Sequence, residues 1–263
     1  FSIISPDIFP TAFNLKTILS EESLLAIAAL GVTVPLICGQ FDLSFAANIT
    51  VSGLITAGMM SYSHLGWGLA VVIGLAVGLG IGLINAALIS IGIHSFIATL
   101  AMSTILGGVA QWYGTGQIIY QGISPSFDKL AQQQVDGVTL PVFYMLALAL
   151  VVWFVLGHTP FGRYLYAIGS NRTAAAVAGV PVRRHTATAM VICGGLAGLV
   201  GVLLASRTSS AQNGAGDTFL LPAFAAAFIG SATFRRGEFN VGGTLVGVYF
   251  VATLVSGAFI AGA

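Results

Sequence analysis

Charge is the scarcest thing in this chain of 263 residues: 8 acids and 9 lysines and arginines make up 6% of it, where a soluble domain carries roughly 25%. With 57% hydrophobic residues and a mean hydropathy of +0.97, the chain reads as an integral membrane protein. Lysine is rarer still. Lys16 and Lys129 are the only two, and neither sits in a GxxxxGK[ST] phosphate loop, so ATP is not bound by that route. A formal net charge of +1 excludes a basic surface for nucleic acid. The two cysteines, Cys38 and Cys193, fall in apolar runs, where a packing role is expected and a disulfide is not. His64, His94, His158 and His185 lie far apart, no ligand spacing of Cys and His occurs, and neither a metal nor another cofactor is expected. The alternation of apolar and polar residues that marks a membrane β-barrel is also missing.

What is present is a series of long apolar runs separated by short polar breaks. A helical crossing takes about 20 apolar residues. The pattern predicts an all-α polytopic bundle with about eight membrane segments, near 23–38, 44–62, 67–92, 95–113, 139–156, 186–205, 219–233 and 241–262. The third is long enough to tilt or kink, and the seventh is short enough to be re-entrant or flanked by irregular backbone inside the protein. Glycines recur at a spacing of four: Gly74, Gly78 and Gly82, then Gly194 and Gly198, then Gly243 and Gly247. In lipid, small residues at this spacing let helix backbones pack closely. "GLGIGLIN" is therefore a packing stripe and not a dinucleotide fingerprint, and "NIT" and "NRT" match a glycosylation acceptor only by letter.

Two polar insertions divide the runs. The first, 114–138, holds two Asp, one Lys and five Gln. The second, 157–185, contains "HTPFGRYLYAIGSNRTAAAVAGVPVRRH" and carries Arg163, Arg172, Arg183 and Arg184, four of the nine basic residues, with no acid. The positive-inside bias makes it cytoplasmic. Counting crossings then puts 114–138 and 206–218 outside and 234–240 inside. Arg235 and Arg236 agree with that placement; Arg207 on the outer side is an exception. The start at "FSIISPDIF" without Met and the end at "AFIAGA" read as lacking an upstream helix and a final helix.

A carboxylate within a membrane segment costs about 2.5 to 3.5 kcal/mol on insertion scales and usually faces water or a polar partner. Asp42, in "GQFDLSFAAN", sits between Gly39, Gln40 and Ser44, a pattern for a broken or capped helix start. Three readings of it stand open: a cap, a polar lining of a solute path, or a protonatable coupling acid. Gln40, Asp42, Ser44, Asn48 and Asn85 are the translocation-path candidates. Uncharged amides, Gln111 included, suit neutral polyhydroxylated solutes and serve equally as glue between helices. In the arginine loop, "NRTAAAVAG" predicts a short helix with Asn171 as N-cap and Gly179 past its end, with small faces suited to docking on another protein.

These stretches resemble one family. "FGRYLYAIGSNRTAAAVAGVPVRR" looks like the cytoplasmic coupling loop of bacterial ribose/xylose-type ABC importer permeases, through Gly162, Arg163, Ala167, Gly169, Asn171, Ala174, Ala175, Gly179 and Val180. "GQFDLS" and "GSATFRRGEFNVGGTLVG" resemble two further stretches of that family. Gln40, Ser231, Arg236 and Phe239 stand where the family commonly has glycine, and Ala46 and Ala47 replace a Gly-Ser pair, which leaves subfamily and substrate open.

The resemblance implies a single permease domain over 1–263, type II ABC importer-like, with about ten helices in the full-length protein and no ATPase site of its own. It implies cytoplasmic ABC ATPase subunits, a periplasmic or lipid-anchored solute-binding protein, and a second permease copy or sister permease in the bacterial inner membrane. It makes Gly162, Arg163, Gly169, Asn171, Arg172, Ala174, Ala175 and Gly179 the ATPase-coupling element and places the Asp42 region near the path. The expected solute is a monosaccharide or a related neutral polyhydroxylated compound, with a sugar-like signalling molecule, polyol or nucleoside as alternatives. An ion-coupled secondary carrier using Asp42 is the rival from another class. It would call for inverted repeats, which the halves do not display. A membrane-embedded enzyme would need clustered nucleophiles or acids, and none is visible.

Overall fold

The computed structural model describes residues 9–234 and 237–260. The expectations for the first eight residues, for Arg235 and Arg236, and for the last three residues lie outside the described residues. Among the described residues twelve α-helices follow one another: α1 Ala12–Glu21, α2 Ser23–Ile37, α3 Phe45–Ser61, α4 Trp67–Ser90, α5 Ser95–Gly114, α6 Pro125–Gln132, α7 Leu140–His158, α8 Pro160–Ser170, α9 Arg172–Val177, α10 Val182–Thr208, α11 Leu220–Ser231 and α12 Val241–Ile260. A two-residue ribbon, Gln134–Val135 with Val138–Thr139, closes the turn before α7.

Every apolar run found in the sequence lies on a helix, but the count of eight crossings is not supported. Among the described residues five helices, α4, α5, α7, α10 and α12, are long and apolar enough to cross a membrane. The pair α1 and α2, bent by 45° at Glu22, makes a sixth if taken as one span. The other two predicted segments are α3, of 17 residues, and α11, of 12. Hydropathy sums cannot separate a crossing from a short helix enclosed by its neighbours. α3 is enclosed in this way, with Asn48, Ser52 and Thr56 buried along it.

α10 is the axis of the bundle, packed on α2, α3 and α4. The glycine stripes explain how it fits. A Cβ added to Gly78 would lie 2.5 Å from the Gly198 Cα, and one added to Gly194 would lie 2.6 Å from the Gly82 Cα. Backbone thus touches backbone where α4 crosses α10, and the Asn48 side chain bridges them by donating to the Gly78 and Gly194 carbonyls, each at 3.2 Å. Valine at Gly78 is expected to cost about 1 to 3 kcal/mol, because the facing backbone has no rotamer with which to yield. The check is thermal unfolding in detergent, with Gly80→Val as the comparison: a Cβ at Gly80 meets nothing within 4 Å, and an equal loss from both would refute the packing role.

Arg207, the exception to the charge bias, is ion-paired with Glu21 at the α1–α2 bend and donates a second hydrogen bond to the Glu21 carbonyl. Its charge is therefore largely spent within the protein. At the same end α6 covers the terminus of α10, with the Ser206 hydroxyl donating to the Phe127 carbonyl at 2.8 Å.

Candidate functional site

The arginine loop folds as two short helices. α7 ends at His158, and α8 turns back beneath it at Gly162, where a side chain would collide with the Leu156 carbonyl. α8 presents Leu165 and Ile168 inward and Arg163 and Tyr164 outward. Asn171 leaves the helical region, with φ −155° and ψ 100°, and its Oδ1 accepts the Ala174 N–H at 2.9 Å, so α9 starts on an N-cap. Gly179, at φ +83°, ends it.

The eight coupling candidates divide by burial. Gly162 and Ala175 are buried and pack inward, whereas Arg163, Gly169, Asn171, Arg172, Ala174 and Gly179 are exposed. Ala175 is thus a packing residue of α9. The apolar projection of that helix is Val177, which is 85% exposed beside Ala174 and Ala178. A six-residue helix is too short for sequence periodicity to show which of its alanines turns inward.

Gly169 joins this loop to the rest of the protein. Its Cα lies against the end of α2, so close that any side chain would overlap the Ile37 carbonyl. Directly beyond lies the break between α2 and α3. The Gln40 N–H returns to the Pro35 carbonyl, and Gly39 takes φ +73°, which turns the chain out of the helix. The next N–H groups are held by α5: Phe41 donates to the Ser95 Oγ at 3.2 Å and Leu43 to the Thr99 Oγ1 at 3.1 Å. Sequence reasoning missed both α5 hydroxyls. Their spacing of four at a helix start, one polar face on an apolar helix, was the available signal.

Asp42 is 1% exposed. Its Oδ1 accepts the Ser44 N–H at 2.9 Å and the Ser44 hydroxyl at 2.6 Å, and the Ser44 oxygen in turn accepts the Asn85 amide of α4 at 2.7 Å. The Cys193 thiol of α10 and the Phe45 N–H also face the carboxylate. Among the described residues Asn85 Oδ1 has no hydrogen-bond partner. Asp42, Ser44 and Asn85 therefore form one buried network, with Asn48 a turn above them accepting from the Ser52 hydroxyl at 2.9 Å. Gln40, 8% exposed, stands apart from it. Such an arrangement holds a helix break rigid between α3, α4 and α10.

Irregular backbone occurs at a second place. After α10, residues 212–216 leave the end of the bundle and fold back into it, in line with the re-entrant or irregular-backbone reading of the seventh segment, and a 3-10 turn over Asp217–Phe219 leads into α11. The Gly216 N–H donates to the Thr50 Oγ1 at 2.9 Å, and Gly216 is wedged against the Ala46 carbonyl in the first turn of α3. α11 starts from that depth, which is why it is short. Two cavities, about 350 and 180 Å³, flank this segment and share Thr50 and Gly214.

Three relatives align over nearly the whole chain. Ribose import permease protein RbsC of Haemophilus influenzae is 34% identical over 257 residues, 96% of this chain and 79% of that protein. The Bacillus subtilis protein of the same name is 34% identical over 263 residues, 99% and 81%. D-allose transport system permease protein AlsC of Escherichia coli is 31% identical over 258 residues, 98% and 79%. No solved structure matches the chain. The family model for "Branched-chain amino acid transport system / permease component" matches residues 14–263, and so takes in the α2–α3 break, the α8–α9 element and the re-entrant segment alike. This chain belongs to the branched-chain amino acid transport system / permease component family.

Proposed function

We propose that this chain is the membrane-spanning permease subunit of an ATP-driven, binding-protein-dependent importer for a monosaccharide or a related neutral polyhydroxylated solute. The observation that carries the reading is the α8–α9 element. It is a capped helix with an exposed Ala174–Val177–Ala178 edge, flanked by arginines, and tied through Gly169 to the backbone of α2. Relatives named for ribose and allose, matched over nearly the full chain, favour a sugar over the amino acids in the family's description.

On this reading the arginine end is cytoplasmic and the membrane is the bacterial inner membrane. ATP is hydrolysed by partner subunits docked on α9, an external solute-binding protein delivers the solute, and a second copy or a sister permease completes the pair. The chain performs no chemistry. It transmits motion of α9 through α8 to the α2–α3 break, a rigid-body switch between outward-open and inward-open states. The buried Asp42, Ser44 and Asn85 hold that break, with Asn48 locking α3 above it.

The test is co-purification of the ATPase encoded beside this permease. It is expected to follow the tagged parent into detergent and to be lost from Val177→Glu, a change at an exposed position that leaves the α9 packing at Ala175 in place. An ATPase that binds parent and variant equally would remove α9 as the dock, and one that binds neither would remove the importer reading.

A further inference from the structure

Residues 212–216 are irregular backbone between Ala211, which is bridged to Ile119, and the 3-10 turn Asp217–Phe219, and at Gly216 they lie deep in an apolar bundle. α4 has 24 residues, and its midpoint, Gly78, is level with Asn48. Gly216, pressed on Ala46 and Thr50, is therefore near mid-height. Ser103, which shares the smaller cavity with Asp217, lies eleven residues before the end of α5, about 16 Å below it at 1.5 Å per residue. Non-helical backbone persists at such depth only when enclosed by protein or lining a water-filled cavity, and here cavities stand on both sides of it.

The larger cavity is lined mainly by apolar groups and the smaller one is about half polar, and neither lining carries a cation. Ser103 supplies a hydroxyl from α5, Gln212, Asn213, Asp217 and Thr218 come from the segment itself, and the Thr50 hydroxyl of α3 is spent on the Gly216 N–H and the Ala46 carbonyl. Asn213 donates to the Gln111 Oε1 at 2.7 Å. Among the described residues the Asp217 carboxylate makes no hydrogen bond or ion pair. Asp217 is exposed and opens onto the smaller cavity, where its carboxylate is sustained by water or by a solute that replaces water. By contrast, Asp42 has its partners inside the protein, and none of the five path candidates chosen from the sequence lines either cavity.

We infer that the re-entrant segment, with Ser103, is the solute-contacting lining of the permease, and that its ligand is a neutral compound with adjacent hydroxyl groups. The inference rests on the proposed function for the direction of transport and deepens it by placing the path. A carboxylate accepts two neighbouring hydroxyls at once, and the amides both donate and accept. An anionic solute such as a sugar phosphate would find a negative charge and no counter-ion.

Single cysteines at Ser103, Asp217 and, for comparison, the fully buried Ala57 are treated in whole spheroplasts with a cationic, membrane-impermeant methanethiosulfonate, with and without D-ribose. Uptake of labelled D-ribose is measured in parallel for the parent, Asp217→Leu and Asn213→Leu, expressed with the neighbouring ATPase and binding protein. Expected results are labelling at 103 and 217 but not at 57, slower labelling in D-ribose, and about tenfold lower uptake by Asp217→Leu, the scale of losing hydrogen bonds to a charged group. ATPase co-purification should be unchanged. No labelling at 103 and 217 overturns the inference whatever the uptake. Parental uptake with both leucine variants unaffected overturns the site and leaves the proposed function standing. Labelling without uptake of D-ribose, D-allose or a polyol by the parent overturns the proposed function and the solute class together.

Discussion

Leucine in place of Gly169 is expected to abolish solute-stimulated ATP hydrolysis while leaving the ATPase bound. On the proposed function the dock and the transmission lie on different faces of the arginine loop. α9 carries the exposed Val177 edge, and Gly169 meets the Ile37 carbonyl on the other side. A side chain at 169 overlaps backbone, which cannot rotate away, so α8 must leave α2. Overpacking of this kind costs about 1 to 3 kcal/mol, the same size as a typical coupling free energy between sites, so stimulation should fall about tenfold or more. The measurement is ATP turnover in nanodiscs with and without loaded binding protein, alongside co-purification of the ATPase. Normal stimulation in the variant would show that motion does not pass through this contact. Loss of the ATPase itself would show that 169 belongs to the dock.

The same contact shows what could be read from residues alone. A glycine inside a helical stretch of the arginine loop is visible in sequence, and so is the Asn171 cap, because capping depends on a residue and the N–H three positions on. Each apolar run became a helix for an equally local reason. The failures are all of depth and facing. Counting crossings puts "SRTSSAQNGAGDT" outside while the short seventh segment after it allows irregular backbone inside the protein, and only the contacts of Gly216 with Ala46 and Thr50 show how far in the stretch reaches. Ala174 and Ala175 are chemically identical neighbours, and the fold alone turns one outward and the other in. Asp42 was legible as a residue at a helix break. Its partners were not: Asn85 lies 43 residues further along the chain, and the α5 hydroxyls that hold the adjoining backbone further still.

Those partners separate the roles still open for Asp42. Asp42→Leu removes the acceptor for two donors, the Ser44 N–H and hydroxyl, in a place that is 0–1% exposed. Each stranded donor costs about 1 to 3 kcal/mol. The variant should therefore lose several kcal/mol of about 5 to 15 available to a folded domain and yield little monodisperse protein. Asp42→Asn keeps an oxygen where Oδ1 stands, so both hydrogen bonds survive with a neutral acceptor. Its thermal midpoint should fall by only a few degrees, and uptake should stay within a few-fold of the parent. A coupling acid predicts the reverse. Asparagine cannot carry a proton, so a carrier driven through Asp42 would stay folded as Asp42→Asn and lose accumulation altogether. Uptake that survives in the asparagine variant and collapses in the leucine variant assigns Asp42 to the break beneath α3. The energy for transport must then enter from the arginine loop on the other side of Ile37.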